Sequence, residues 1–409
     1  MNYHIHTLGC KFNQYESAKI DEELAKQGHS RVDMKSADVV IINSCAVTSE
    51  ATRKSFQIAR HVSKINPKAK LIFTGCAVHS ERVTKFDLVL GNGEKLKIGD
   101  FFEKNGTFVD FFYYTKDDLS YSINGIPGKT RSFLSIENGC NWACAYCAIP
   151  HFRGTRIRSK PFELAVEEAR KMIEIGTKEI VITGINVALY EYKDKNLEDL
   201  INGLTELRGD FRIRLGSIDP RSLLNIVNVF KRPKMCHHVH LSVQSGSDSV
   251  LKRMRRPYTT EDVKKVVKEL RKIDEFFSFS VDVIVGFPGE GEKEFNETYD
   301  LLEQMEVSRI HVFPFSPRKG TLAFSMDGKI EKSVKKFRVK MLRELGKKME
   351  KRFREKTKNV EKNVLVERVK NGVGEGLDEY YLRHFFEYDG KKGEFVKLIE
   401  RVVDCEGLP

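Results

Sequence analysis

The chain has 409 residues, too many for one ordinary hydrophobic core, so two or three domains are expected. Its 40% hydrophobic and 31% charged content suits a soluble globular protein, and no apolar run approaches the roughly twenty residues of a membrane helix, which excludes a spanning protein. The formal net charge of +12 points instead to a polyanionic partner.

That charge is clustered. Between Glu331 and Val360 stand thirteen Lys or Arg against four Glu, a net of +9. Arg153, Arg156, Arg158 and Lys160 form a second run and Lys252-Arg253-Met254-Arg255-Arg256 a third, and together they favour RNA. The start, Met1-Asn2-Tyr3-His4-Ile5-His6, lacks the basic and apolar regions of a signal peptide. A cytoplasmic location follows as the expectation, and there eight cysteines suit metal ligation better than disulfides.

In chain order, the first elements repeat one unit: apolar strand, cysteine, polar helix. Residues 3–8 lead to Gly9-Cys10 and a helix near 13–27; 38–43 lead to Ser44-Cys45 and a helix over 48–63; 70–74 lead to Gly75-Cys76. Continuous apolar strands separated by helices predict a parallel sheet covered on both faces, a flavodoxin-like α/β domain over residues 1–125. Ligands of such sheets gather beyond the strand carboxyl ends, where each cysteine sits. Strands lie about 4.8 Å apart, so the three thiols can converge on one iron–sulfur cluster; three separately buried cysteines are the bland alternative. Residues 92–130, with Gly/Asn turns and the aromatic patch Phe108, Phe111, Phe112, Tyr113 and Tyr114, read as an irregular end and a linker.

From Arg131 a second alternation begins. Strands are predicted at 133–137, 179–183, 212–217, 238–243, 279–285 and 309–313, with helices between them. The pattern is an incomplete βα barrel over residues 126–358, closed off by the basic helix, with its active-site loops at the strand carboxyl ends. Directly after the first strand comes Cys140-Asn141-Trp142-Ala143-Cys144-Ala145-Tyr146-Cys147. Three thiolates at this spacing leave one iron of a 4Fe-4S cluster without a protein ligand, open to substrate or cofactor. A zinc knuckle completed by a residue such as His151 is the alternative.

Other features invite a structural reading. Alternation in Cys236-His237-His238-Val239-His240 points His238 and His240 one way and His237 the other. Asp282 orients the barrel face without a proton-transfer role, Gly372-Val373-Gly374-Glu375-Gly376 is a turn, and Cys405 is incidental. Runs at 364–369, 380–388 and 395–403 predict a small all-β, OB-like barrel over residues 359–409.

Taken together the motifs resemble the radical S-adenosylmethionine (SAM) methylthiotransferase family. The resemblance is carried by Leu8-Gly9-Cys10-Lys11-Phe12-Asn13-Gln14-Tyr15-Glu16, Asn43-Ser44-Cys45, Thr74-Gly75-Cys76, the Cys140–Cys147 loop, Gln244-Ser245-Gly246-Ser247-Asp248 and Gly286-Phe287-Pro288-Gly289-Glu290. It implies two 4Fe-4S clusters, one on Cys140, Cys144 and Cys147 that binds SAM and an auxiliary one on Cys10, Cys45 and Cys76, with an RNA-binding TRAM barrel at the end. The first stretch, with Arg212–Pro220 and His311–Arg318, is most similar to the subgroup acting on N6-threonylcarbamoyladenosine in tRNA. The isopentenyladenosine subgroup is the near alternative, and the branch modifying a ribosomal-protein aspartate ranks third. Ser242-Val243, the glycine-free Asn186–Tyr190 segment and a short final barrel depart from the family pattern.

The resemblance further implies the chemistry. Reductive cleavage of SAM gives a 5′-deoxyadenosyl radical that takes hydrogen from C2 of the adenine, next to the anticodon at position 37. Sulfur held at the auxiliary cluster and methylated by a second SAM is then delivered. SAM contacts are expected from Tyr146, Gly184, Ser217, Gln244 and Gly286. The expected partners are a tRNA anticodon stem-loop and a reducing electron donor, with no membrane and a monomeric enzyme. A zinc-containing RNA-binding protein and a pure electron carrier are the rivals from other classes.

Overall fold

The structure is a computed structural model and describes residues 1–79, 83–110, 119–126 and 128–399. The first part comprises β1 (Asn2–Thr7), α1 (Lys11–Lys26), β2 (Ser30–Arg31), β3 (Val39–Ser44), α2 (Ser49–Ile65), β4 (Lys70–Gly75), β5 (Leu88–Leu90) and β6 (Gly106–Phe108). They form one parallel sheet in the order β2-β1-β3-β4-β5-β6. Strand β3 is buried throughout, and its apolar first four residues feed two cores: Val40 and Ile42 meet Phe56, Ala59 and Val62 of α2, while Val39 and Ile41 meet Ile20 and Leu24 of α1. Each such side chain contributes roughly 1.5–3 kcal/mol. Thr48 starts α2 by accepting a hydrogen bond from the Ala51 amide (3.1 Å). The stretch read as irregular instead supplies edge strand β6. Phe111, Phe112, Tyr113 and Tyr114 lie outside the described residues.

The second part comprises β7 (Arg131–Asn138), α3 (Ile149–Arg153), β8 (Arg158–Ser159), α4 (Phe162–Glu174), β9 (Glu179–Gly184), the ribbon β10 (Glu191–Tyr192) and β11 (Lys195–Asn196), α5 (Leu197–Thr205), β12 (Arg212–Leu215) and β13 (Ser217–Ile218). It continues with α6 (Pro220–Leu224), β14 (His238–Gln244), α7 (Asp248–Arg253), α8 (Thr260–Ile273), β15 (Ser278–Val285), α9 (Glu292–Gln304), β16 (Arg309–Pro314) and α10 (Lys332–Lys356). The predicted third strand divides at Gly216: Leu215 pairs with Ile182 of β9, whereas Ser217 pairs with His240 of β14. A Cβ at Gly216 would lie 2.5 Å from the Ile182 carbonyl oxygen, so only glycine turns this corner between the sheets β12-β9-β7-β8 and β13-β14-β15-β16. The barrel stays open, with β8 and β16 as its edges.

The third part is an antiparallel sheet, β17 (Lys362–Lys370), β18 (Val373–Leu377), β19 (Arg383–Glu387) and β20 (Phe395–Leu398), in the order β19-β18-β17-β20. Here the glycine-rich segment is a strand, not a turn. Cβ atoms at Gly374 and Gly376 would lie 2.9 Å from the Tyr388 side chain and 2.2 Å from the Leu365 carbonyl oxygen, so these glycines admit close neighbours. The turn is Asn371-Gly372, both at positive φ. The sheet docks on the barrel floor: Arg212 donates to the carbonyls of Asn363 (2.8 Å) and Leu377 (2.9 Å), and Arg214 to that of Asp378 (3.0 Å). Cys405 and the end of the last predicted strand lie outside the described residues.

Candidate active site

Strand β7 ends at Asn138, and Gly139 (φ +100°) swings the chain into the cysteine loop, where a Cβ would lie 2.1 Å from the Arg156 carbonyl oxygen. The loop is held from two sides: Ala145 N–H donates to the Met254 carbonyl (3.0 Å) and Ala323 N–H to that of Ala145 (2.8 Å). Cys140, Cys144 and Cys147 lie within electrostatic reach of one another. Burial pushes the Cys147 thiol up to about 12 and raises that of Cys140. Arg256 donates to Cys144 Sγ (3.1 Å), its guanidinium centred 4.9 Å from the Trp142 ring and 4.8 Å from the Tyr258 ring. A fixed cation there favours sulfur in its deprotonated form, the form that ligates iron.

The second set of thiols is assembled by the parallel sheet. Cys10, Cys45 and Cys76 follow β1, β3 and β4 directly or by two residues and sense one another. Gly9 (φ +97°) leaves room for Cys45, whose Sγ would lie 2.8 Å from a Cβ there. Burial raises Cys45 to about 11; Cys10 is exposed, yet the surrounding protein raises its thiol as well. Among the described residues no three His, Cys, Asp or Glu side chains meet closely enough to hold a single ion. Tetrahedral zinc needs sulfurs about 2.3 Å from the metal, whereas a cubane spreads its thiolates over the corners of a larger cage. His151, the proposed fourth zinc ligand, lies instead 3.2 Å from the Gly320 carbonyl. Both triads therefore suit clusters.

The barrel grips each of the three strand-end loops separately. Beside Cys10, Arg153 forks onto Glu16 (2.5 and 2.8 Å) and donates to Asn13 Oδ1 (2.8 Å), its guanidinium 4.6 Å from the Phe12 ring. Asn13 in turn donates to the carbonyls of Leu8 and Ser44, both 2.8 Å. Lys95 supplies the second cation on Glu16 (2.6 Å), and the two hold that buried carboxyl below its ordinary range against the opposing effect of burial. Beside Cys45, Arg318 donates to the Ala46 carbonyl and Ser316 meets Ser49 (3.0 Å). Beyond Cys76, Phe152 stacks on His79 at 5.7 Å. Phe152 and Arg153 follow the cysteine loop, so one short segment fixes both triads.

The inner face of the second barrel sheet is polar. Side chains of β14, β15 and β16 alternate: Val239, Leu241, Val281, Val283 and Val285 join the outer core, while His240, Asp282 and Phe313 face inward and keep 18%, 26% and 41% exposure. A closed barrel fills this space with apolar layers; here the inside is wetter than the outside. His240 pairs with Asp282 (2.9 Å) and lies 3.1 Å from Ser280 Oγ, which His238 also meets at 2.8 Å. His237, on the other face, pairs with Asp274 (2.6 Å), as strand alternation required. Asp282 thus orients a histidine.

Comparison with known proteins sharpens this picture. A family profile described as Radical SAM superfamily matches residues 134–302, and one described as Uncharacterized protein family UPF0004 matches residues 2–90. A threonylcarbamoyladenosine tRNA methylthiotransferase of Thermotoga maritima is 42% identical, the alignment covering 99% of this chain and 95% of that protein. The chain belongs to the radical SAM methylthiotransferase family. A Bacillus subtilis protein of the same description is 32% identical over 97% and 96%, and a tRNA-2-methylthio-N(6)-dimethylallyladenosine synthase of Syntrophus aciditrophicus 33% over 89% and 83%. In fold the chain is similar to the radical SAM methyltransferase TsrM from Kitasatospora setae (TM-score 0.56, 14% identity, 76% and 72% covered).

In this methylthiotransferase, the five residues expected at SAM take the following places. Tyr146 stands in the loop, edge-on to Phe287 at 6.5 Å. Gly184, Ser217 and Gln244 end or begin the inner strands on the rim, Gln244 at φ +65°. A Cβ at Gly184 would lie 3.0 Å from Glu137 Oε2. At Gly286, Lys335 of α10 fills the space a side chain would take, and the Gly286 N–H donates to Glu290 (2.8 Å). The second basic run also needs correcting as an RNA surface, since Arg153, Arg158 and Lys160 are buried; Lys160 pairs with Glu168. Arg256, read as part of the third run, faces the cysteine loop. Sequence reasoning missed Glu137, whose buried carboxyl is raised to about 8 by desolvation and accepts from Asn186 N–H (2.6 Å). Its place on the inward alternation of β7 was the available signal.

Proposed function

We propose that this methylthiotransferase replaces the C2 hydrogen of N6-threonylcarbamoyladenosine in tRNA with a methylthio group, using SAM and two 4Fe-4S clusters. The observation that carries this reading is the pair of three-thiol centres, the loops of one held by residues of the barrel that carries the other, in a chain 42% identical to the Thermotoga maritima protein over nearly its whole length. When bound, the clusters and SAM supply the radical and sulfur chemistry that no side chain provides. Cys140, Cys144 and Cys147 hold one cluster and Cys10, Cys45 and Cys76 the other. Arg256, held against the Trp142 and Tyr258 rings, donates to Cys144. Tyr146, Gly184, Ser217 and Gln244 line the rim where SAM would lie, with Gly286 behind them. The exposed lysines of α10 and the terminal sheet are the surfaces assigned to the anticodon stem-loop.

The same reading extends to a monomeric cytoplasmic enzyme supplied by a reducing electron donor. No helix among the described residues is long and apolar enough to cross a membrane. Mass spectrometry of tRNA nucleosides from cells lacking the protein tests the function. Loss of the methylthio group from threonylcarbamoyladenosine alone is expected; its loss from the isopentenyl nucleoside would overturn the substrate assignment.

A further inference from the structure

The chain around the cysteine loops exposes more apolar surface than the rest of the molecule. Among the described residues ten large apolar side chains are exposed, and six of them are Val47, Phe313, Leu322, Phe324, Val334 and Phe337. Hydrogen bonds and packing tie all six to the site. Val47 follows Ala46, whose carbonyl Arg318 holds, and Leu322 and Phe324 flank Ala323, which donates to Ala145 within the cysteine loop (2.8 Å). Val334 and Phe337 stand one turn apart at the start of α10, on either side of the Lys335 that fills the space over Gly286. The next residue, Arg338, pairs with Glu290 (2.6 Å). Phe313 lies near the end of β16. Its register partner Ile284 packs, as Tyr146 does, on the small core of Ala145, Phe287 and Phe315. Three residues further on, Ser316 meets Ser49 beside the Cys45 loop (3.0 Å). Phe313 is thus a few residues from contacts with the loops of both triads, and its ring keeps a free face.

A concentration of exposed apolar side chains marks a docking surface, and charge decides what docks there. Residues 313–337 carry six Lys or Arg against two acids, Asp327 and Glu331, so the partner is an anion. Exposed rings set among cations hold unpaired nucleotides: the cations take the phosphates and the rings take the base faces. A duplex stem hides its base faces, whereas a loop presents them. An adenosine that brings C2 to the thiols also has to leave its stack, and a free aromatic ring replaces the neighbours it loses. We propose that this rim seats the unpaired nucleotides of the anticodon loop, with Phe313 the platform on which the target adenine stacks and Phe324 and Phe337 platforms for neighbouring bases. This rests on the function proposed above and assigns the reading of the loop to the chain between β16 and α10.

The test measures binding of synthetic anticodon stem-loops to the reconstituted full-length enzyme by fluorescence anisotropy at fixed salt. One RNA is intact, one is abasic at the target position, and two are abasic at its neighbours. The wild type is expected to bind the intact loop about tenfold more tightly than the target-abasic one. Phe313→Leu, which keeps an apolar side chain but removes the ring, should bring that ratio to about one, and Phe313→Trp should keep it. Phe324→Leu and Phe337→Leu should preserve it and lose the preference at a neighbouring position instead. A wild type that binds the intact and target-abasic loops equally overturns the proposal. So does a Phe313→Leu enzyme that keeps the wild-type ratio, or one that weakens both RNAs alike. Phe324→Leu and Phe337→Leu variants with every RNA affinity unchanged overturn the rim, and slower cluster reduction by reduced flavodoxin in them would assign it to an acidic electron-carrier protein. Methylthiolation is scored separately. A wild type that shows the binding ratio yet modifies no adenosine overturns the proposed function and leaves Phe313 in its role; one that modifies without the ratio does the reverse.

Discussion

The two thiol triads have the same composition and opposite construction. Cys140, Cys144 and Cys147 lie in one loop whose shape is largely local, down to the Cys147 N–H donating to the Cys144 carbonyl at 3.0 Å. Cys10, Cys45 and Cys76 meet only because three parallel strands align and because Arg153, Arg318 and Phe152 hold their loops from the barrel. Gathering distant residues costs more chain entropy than closing a short loop. The difference teaches that a site's stoichiometry says little about its robustness: one centre depends on a turn, the other on the whole N-terminal sheet and its seat.

The comparison breaks most completely at the ligands. Cys144→Ala is expected to abolish both 5′-deoxyadenosine formation and methylthiolation, whereas Cys45→Ala should abolish only the second; equal loss of both in Cys45→Ala would refute the division of labour. Next comes the seat itself. Glu16→Gln leaves two buried cations short of a full counter-charge and should cost on the order of 3–5 kcal/mol, read by denaturant unfolding. In the folded enzyme it should lower methylthiolated product more than SAM cleavage. A smaller effect is confined to the loop triad: removing the cation at Cys144 with Arg256→Met should shift one cluster potential to more negative values and leave the other unchanged, by redox titration. The smallest concerns Glu137. Its folded value of about 8 lies above the ordinary carboxyl range, so the native state retains a proton that the unfolded chain has lost, and stability falls as pH rises from about 4.5 to 8. Glu137→Gln should flatten that slope in thermal melts of the apoprotein.

Most of the architecture was legible because its signals are periodic. The six barrel strands were found nearly to the residue, since Ile213, Leu215, Val239, Leu241, Val281 and Val283 pack outward in strict alternation. The corner at Gly216 was not, because a change of pairing partner leaves no trace in hydropathy. Gly374 and Gly376 misled through composition: the same residue that frees a turn also admits a close strand, and the positive φ fell one pair earlier, at the hairpin-forming Asn371-Gly372. Within the site, cysteine spacing pointed to the loop triad and strand-end placement to the other. Charge misled at Arg153, Lys160 and Arg256, which sequence can count but cannot place; only their partners Glu16, Glu168 and Cys144, distant along the chain or across a fold, separate a buried clamp from a surface patch.

One consequence of the triple grip concerns modularity. The N-terminal sheet looks like a part that could be transplanted onto another barrel, yet its cysteine loops are finished by residues it does not own. Any graft would have to bring Phe152, Arg153 and Arg318 along with it, and a recipient lacking them would inherit three cysteines without inheriting their alignment.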